Sequence, residues 1–191
     1  MNSVFRFQLI LSLLFLASCL PMQQSLDPQQ RNIQEKEVVR LLTLSVRAMR
    51  RGDTAGFRDA EAALGLAREL KPGDPRIYDG LGCLAFRRGN LDLAEYFFKK
   101  ALERDLLYDR AYAHLALIAQ ERGDIESALE LLKIAVETNP TNYRSRNNLA
   151  ALMSTYRIDP PWAFQELLKA VETQQLPDSI TAHNLEILEA N

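Results

Sequence analysis

Any chemistry in this 191-residue chain has to come from few reactive side chains: two histidines, His114 and His183, and two cysteines, Cys19 and Cys83. The histidines are distant in sequence and have no cysteine or carboxylate at ligand spacing. Each reads as an ordinary helix-surface residue, and no metal or other cofactor is expected. A thiol becomes reactive where nearby cations or a helix N-terminus stabilise its thiolate. Cys83 has no such activating residue and no second cysteine at redox spacing, so it reads as a small packing residue. Nowhere do a nucleophile, a base and an orienting group stand in a recognisable pattern. No catalytic residue is assigned, and a small envelope hydrolase is the remote alternative.

Cys19 belongs to different chemistry. It closes the stretch Leu16-Ala17-Ser18-Cys19, after one basic residue (Arg6) and an apolar run from Phe7 to Leu16 broken by Gln8 and Ser12. A charged start, a short apolar core and a small-residue cleavage site describe a secretory signal. The run is too short to span a bilayer, which takes ~20 residues. With cysteine after two small residues, the segment resembles the lipobox of bacterial lipoproteins. That resemblance implies a signal peptide over 1–18 and an acylated Cys19 at the mature N-terminus. It also implies a place in the bacterial cell envelope. Leu20, where enteric relatives retained at the inner membrane carry aspartate, points to the outer membrane. Residues 20–35 are polar and glutamine-rich and read as a flexible tether reaching at most ~50 Å. The net charge of −2 gives no sign of the basic stripe that nucleic-acid binding needs.

The elements that must carry any site follow from regular punctuation after Glu35. Arg51-Gly52-Asp53, Arg88-Gly89-Asn90 and Arg122-Gly123-Asp124 occupy equivalent places. Glycine takes the left-handed conformation that ends a helix. Arginine before it suits the negative helix C-terminus, and Asp or Asn after it caps the next helix. Each triplet is therefore a turn between helices, and the two that spell RGD are read as turns rather than adhesion signals.

Gly89 and Gly123 are 34 residues apart, the period of the tetratricopeptide repeat. The chain resembles that family over about 38–190. Residues 75–108 place Tyr78, Leu81 and Gly82 in a first helix, then Ala94, Phe98 and Ala101 in a second. Residues 109–142 place Tyr112, Leu115 and Ala116, then Ala128, Leu132 and Ala135. An earlier copy, 38–74, has an inter-helix turn read as about three residues longer. A later copy, 143–178, has Arg157 in place of the turn glycine and Trp162 after two prolines. Residues 179–190 read as a capping helix, giving a TPR domain over 36–190. The fold expected is all-α, a right-handed solenoid of about four helix-turn-helix repeats plus that cap.

In this family the first helices line a concave groove that holds peptides or partner helices. The resemblance carries those positions onto Arg76, Arg110 and Arg144, a column of arginines, and onto Asn148 and Asn184. The column is open to two readings: a partner's carboxylates, or internal pairing with Glu103, Asp105 or Glu137. Val39, Leu42, Val46 and Met49 form an apolar stripe, either a seat for an amphipathic helix or buried packing. The function implied is a lipid-anchored adaptor or scaffold for another envelope protein or peptide segment, with no small-molecule substrate. The run Tyr143-Arg144-Ser145-Arg146-Asn147-Asn148-Leu149 is also similar to a stretch of pilotins, which help assemble type IV pilus secretins. A pilotin-like factor is the second reading.

Overall fold

Three left-handed glycines mark the turns: Gly52, Gly89 and Gly123 have φ of +70°, +76° and +78°. The computed structural model describes residues 27–173, except for the side chains of residues 160, 163, 164, 167 and 173. The expected signal segment over 1–18, Cys19, residues 20–26, His183, Asn184 and the expected cap over 179–190 lie outside the described residues. The chain divides into two units, Met1–Glu35 and Lys36–Asn191.

Of the first unit, residues 27–35 are described, and they correct the expected tether. A helix, α1 (Pro28–Arg50), begins at Pro28. The Gln30 N–H donates to the Asp27 carboxylate at 2.8 Å, and the Asp27 N–H donates to the Gln30 side-chain oxygen at 3.2 Å. That reciprocal capping box, with proline at the first helical position, satisfies backbone donors that a helix start leaves open. Asp27-Pro28-Gln29-Gln30 was the signal in the sequence, hidden by the polar composition around it.

The remaining described helices come in hairpins: α2 (Thr54–Leu70), α3 (Pro75–Arg87), α4 (Leu91–Arg104), α5 (Asp109–Glu121), α6 (Ile125–Thr138), α7 (Tyr143–Thr155) and α8 (Pro160–Thr173). All the described secondary structure is helical. Asp53, Asn90 and Asp124 cap α2, α4 and α6 through their side chains, as the turn triplets imply. The arginine of each triplet also reaches an acidic residue: Arg51 pairs with Asp59, Arg88 with Glu61, and Arg122 with Asp92 and Glu95. Exposed pairs of this kind add ~0–1 kcal/mol each. In the first copy the turn is not longer. Gly52 is followed by a second helix of 17 residues, against 14 in α4 and in α6, so the insertion is helical. Where Arg157 replaces glycine, the chain still takes φ +54°, a conformation costing a non-glycine residue ~1–2 kcal/mol.

Packing runs within each of the hairpins α3–α4, α5–α6 and α7–α8 and from each to the next, and the first helices α3, α5 and α7 also touch in series. Small residues permit the close crossings: Ala60, Ala94, Ala128 and Ala170 are fully buried. At Gly82 an added Cβ would lie 2.4 Å from the Phe98 ring, so only glycine lets α3 and α4 approach this closely. Trp162 packs, half-buried, on the cluster of Leu132, Leu149 and Met153, in keeping with a packing role.

Candidate functional site

The row of first helices carries shallow hollows, and their lining follows the groove positions of the repeat. The largest described, about 340 Å³, is lined by Arg110, Ala113, His114 and Leu117 of α5 and by Asn142, Tyr143, Arg144, Ser145 and Asn148 around α7. A second, about 310 Å³, is lined by Val39, Leu42, Thr43, Val46, Arg47 and Arg50 of α1 with Arg76 of α3. A third, about 260 Å³, lies over Cys83, Phe86, Arg87, Phe98, His114 and Leu117.

The apolar stripe thus divides. Val39 is 45% exposed and Val46 is exposed, with Leu42 partly so. Met49 takes the second of the two readings, buried packing: at 4% exposure it lies with Ala60, Leu64 and Leu84 inside the core, and Arg50 takes its place at the rim. Continuing the stripe from Val46 needed a step of four residues rather than three, because the helix turns every 3.6.

The arginine column is paired internally in part, with partners other than Glu103, Asp105 or Glu137. Arg76 holds Asp74, the capping residue of its own helix, at 2.5 Å. Arg110 reaches back to Asp79 on α3 at 3.0 Å. Arg144 makes no ion pair among the described residues. Its guanidinium lies over the Tyr143 ring, with Nε donating to that hydroxyl at 3.1 Å, and it faces the largest hollow beside Asn148. Each arginine stands at a helix start, where the macrodipole disfavours a cation. The first two are compensated by carboxylates of the first-helix row, and Arg144 is open to one from outside the described residues.

A cluster that the sequence reading missed lies between α3 and α5. Asp79 is 2% exposed; its Oδ2 accepts from the Tyr108 hydroxyl at 3.2 Å and forms an ion pair with Arg110 at 3.0 Å. Its Oδ1 has no hydrogen bond among the described residues, although His114 Nε2 lies 3.3 Å away. Cys83 Sγ is 3.6 Å from the same Nε2. His114 is thus no free surface residue: its ring stacks on Phe98 at 4.8 Å, and burial holds its pKa below the usual imidazole range against the pull of Asp79. The neighbours of His114 are not at ligand spacing in the sequence and come from the preceding repeat. His114 follows Asp79 by 35 residues, one more than the 34-residue period, so stacking sets them face to face. The cluster does not make an activated thiol. Burial first, and the Asp79 charge second, push Cys83 up to about 12. In a catalytic triad the carboxylate also holds the ring nitrogen opposite the nucleophile, whereas here Nε2 faces both groups.

Stacked hairpins with hollows along one row of helices are the architecture of an interaction scaffold. Models of the tetratricopeptide repeat match residues 46–112 and 109–142. Together they span a little over half of the chain, which belongs to the tetratricopeptide-repeat family. No curated protein matches it. Among solved structures it is similar to Pseudomonas aeruginosa pilF, at 19% identity, 82% of this chain, 70% of that chain and a TM-score of 0.66. MamA aligns at 22% identity over 71% of this chain and 77% of its own, with a TM-score of 0.54. YrrB, described as a TPR protein with an unusual peptide-binding site, aligns at 18% identity over 86% and 83%, with a TM-score of 0.52. At these identities the likeness establishes the fold.

Proposed function

We propose that this protein is a lipid-anchored, non-enzymatic adaptor that holds a segment of another cell-envelope protein along its first helices, at the outer membrane. The observation that carries this reading is the 340 Å³ hollow between α5 and α7, where Arg144 and Asn148 offer a charge and an amide beside Leu117. An asparagine amide presents a donor and an acceptor together, which suits extended peptide backbone. A guanidinium binds carboxylates through two parallel hydrogen bonds. An acidic or C-terminal peptide segment fits that chemistry. The lipobox resemblance at Cys19 supports the anchor. The pilotin-like reading, assembly of a type IV pilus or secretion secretin, rests on that anchor and on the run 143–149. Within that run, Ser145, Asn147 and Leu149 are buried and Arg146 is paired with Glu166, leaving Tyr143, Arg144 and Asn148 to face a partner.

One fractionation experiment tests both halves of the proposal. Cys19→Ser should release the chain from the membrane fraction, whereas Arg144→Ala should stay there, keep its denaturation midpoint and lose salt-sensitive partner capture. Arg110→Ala should behave differently. It leaves buried Asp79 with only Tyr108 and should cost about 1–3 kcal/mol of stability. A Cys19→Ser chain still in the membrane would remove the anchor. Capture untouched by Arg144→Ala and Asn148→Ala would move the binding surface elsewhere, to the exposed Val39–Leu42–Val46 face.

A further inference from the structure

We propose that Asp79, Cys83 and His114 form a binding site for one divalent transition metal ion of the zinc class. Their ligand atoms all lie within 4.8 Å of one another. Tetrahedral zinc holds sulfur at about 2.3 Å and nitrogen or oxygen at about 2.0–2.1 Å, which sets neighbouring ligands roughly 3.3–3.6 Å apart. Two edges of that figure are already present: Sγ to Nε2 at 3.6 Å and Nε2 to Oδ1 at 3.3 Å. The third, from sulfur to carboxylate, lies within 4.8 Å and would have to shorten on binding. Both residues belong to α3, four positions apart and so on one face of it, while His114 comes from α5.

Asp79 supplies an independent pointer. An ionisable side chain so deeply buried with an unpartnered oxygen is a costly arrangement, and Oδ1 is the oxygen 3.3 Å from Nε2. Tyr108 and Arg110 hold the other oxygen, the support that ligating carboxylates usually receive. A thiolate and a carboxylate would together neutralise a dication, which leaves Arg110 compatible with an occupied site. A coordinated thiol gives up its proton to solvent, so the metal would supply the ionisation that burial denies Cys83. Thiolate and imidazole ligands favour zinc over magnesium or calcium. The hollow over Cys83, His114, Phe98 and Leu117 gives an entry path and leaves the fourth coordination position to water. Bound there, the ion would join the first helices of adjacent repeats.

Cobalt(II) titration of the full chain in detergent tests the site, because cobalt reports sulfur ligation and tetrahedral geometry by absorption. The expected result is one equivalent bound, with a sulfur-to-cobalt charge-transfer band that zinc abolishes. The band should vanish in Cys83→Ser and His114→Gln and survive in Cys19→Ser. Tyr108→Phe should weaken cobalt affinity about 10–100-fold while restoring the same band at saturation. A wild-type chain without the band, or a band that persists in Cys83→Ser, would overturn the proposal. Should the ligand variants lose their helical circular dichroism, alkylation of Cys83 in the wild-type chain decides. Zinc should slow it at least tenfold, and an unchanged rate would refute the site.

Discussion

Phe98→Ala is expected to lower the unfolding free energy by about 3–5 kcal/mol, read as a fall in denaturation midpoint with an unchanged slope. Phe98 is the largest fully buried side chain described, 1% exposed. It is also where three helices meet. Its ring fills the space above Gly82 of α3, stacks on His114 of α5, and packs with Ala94 and Ala101 of its own helix. The cost of removing a buried ring depends on how far its surroundings can collapse. The Gly82, Ala94 and Ala101 neighbours have little or no side chain to move inward, so they cannot fill the cavity. In a stacked array stability depends on contacts between neighbouring repeats, and Phe98 supports such a contact as well as its own hairpin. A loss below about 1 kcal/mol would mean that α3 and α4 cross elsewhere than at Gly82.

Arg146→Ala is expected to cost about 3 kcal/mol, the low end for breaking a buried ion pair. Arg146 of α7 donates to the carboxylate of Glu166 on α8, which is 3% exposed. Its Nε also donates to the Pro140 carbonyl at 2.9 Å. Lys169 contacts the same carboxylate at 2.6 Å from a half-exposed position, which limits the loss. Position explains the residue. Tyr78 and Tyr112, each 34 residues earlier in register, donate their hydroxyls to the carbonyls of Pro72 and Leu106, six residues before them. Arg146 makes that same bond and adds the ion pair. Arg146→Tyr should therefore restore the loop contact while still leaving Glu166 without Arg146. Denaturation of the single variants and of Arg146→Ala with Glu166→Gln separates the two contributions. A double variant no more stable than Arg146→Ala would show that Glu166 does not carry the cost.

The helices were legible because their punctuation is local. Gly52, Gly89 and Gly123 with their capping residues follow from backbone sterics and hydrogen bonding within a few residues. The positions assigned to the first-helix face were readable from the repeat period. Val39, Leu42, Val46, Arg76, Arg110, Arg144 and Asn148 all line the hollows. What escaped depends on contacts across repeats. Asp79 meets Arg110 and His114 only because stacked first helices bring residues one period apart together. Internal pairing was sought instead in Glu103, Asp105 and Glu137, at the ends of second helices. Arginines at the start of a first helix find carboxylates nearer by, in their own cap or on the preceding first helix. Which of the two readings Met49 takes depends on one step of helical phase, and the start of α1 was hidden by a capping box set in polar sequence.

The central claim is that partner binding runs along the first helices, and site-specific photo-crosslinking in cells tests it most directly. A photoreactive residue at Asn148 on α7, or at Thr43 on α1, should give a discrete adduct with an envelope protein. The same residue at Lys133, exposed on the second helix α6, should give none. Equal adducts from all three positions, or an adduct from Lys133 alone, would contradict the account.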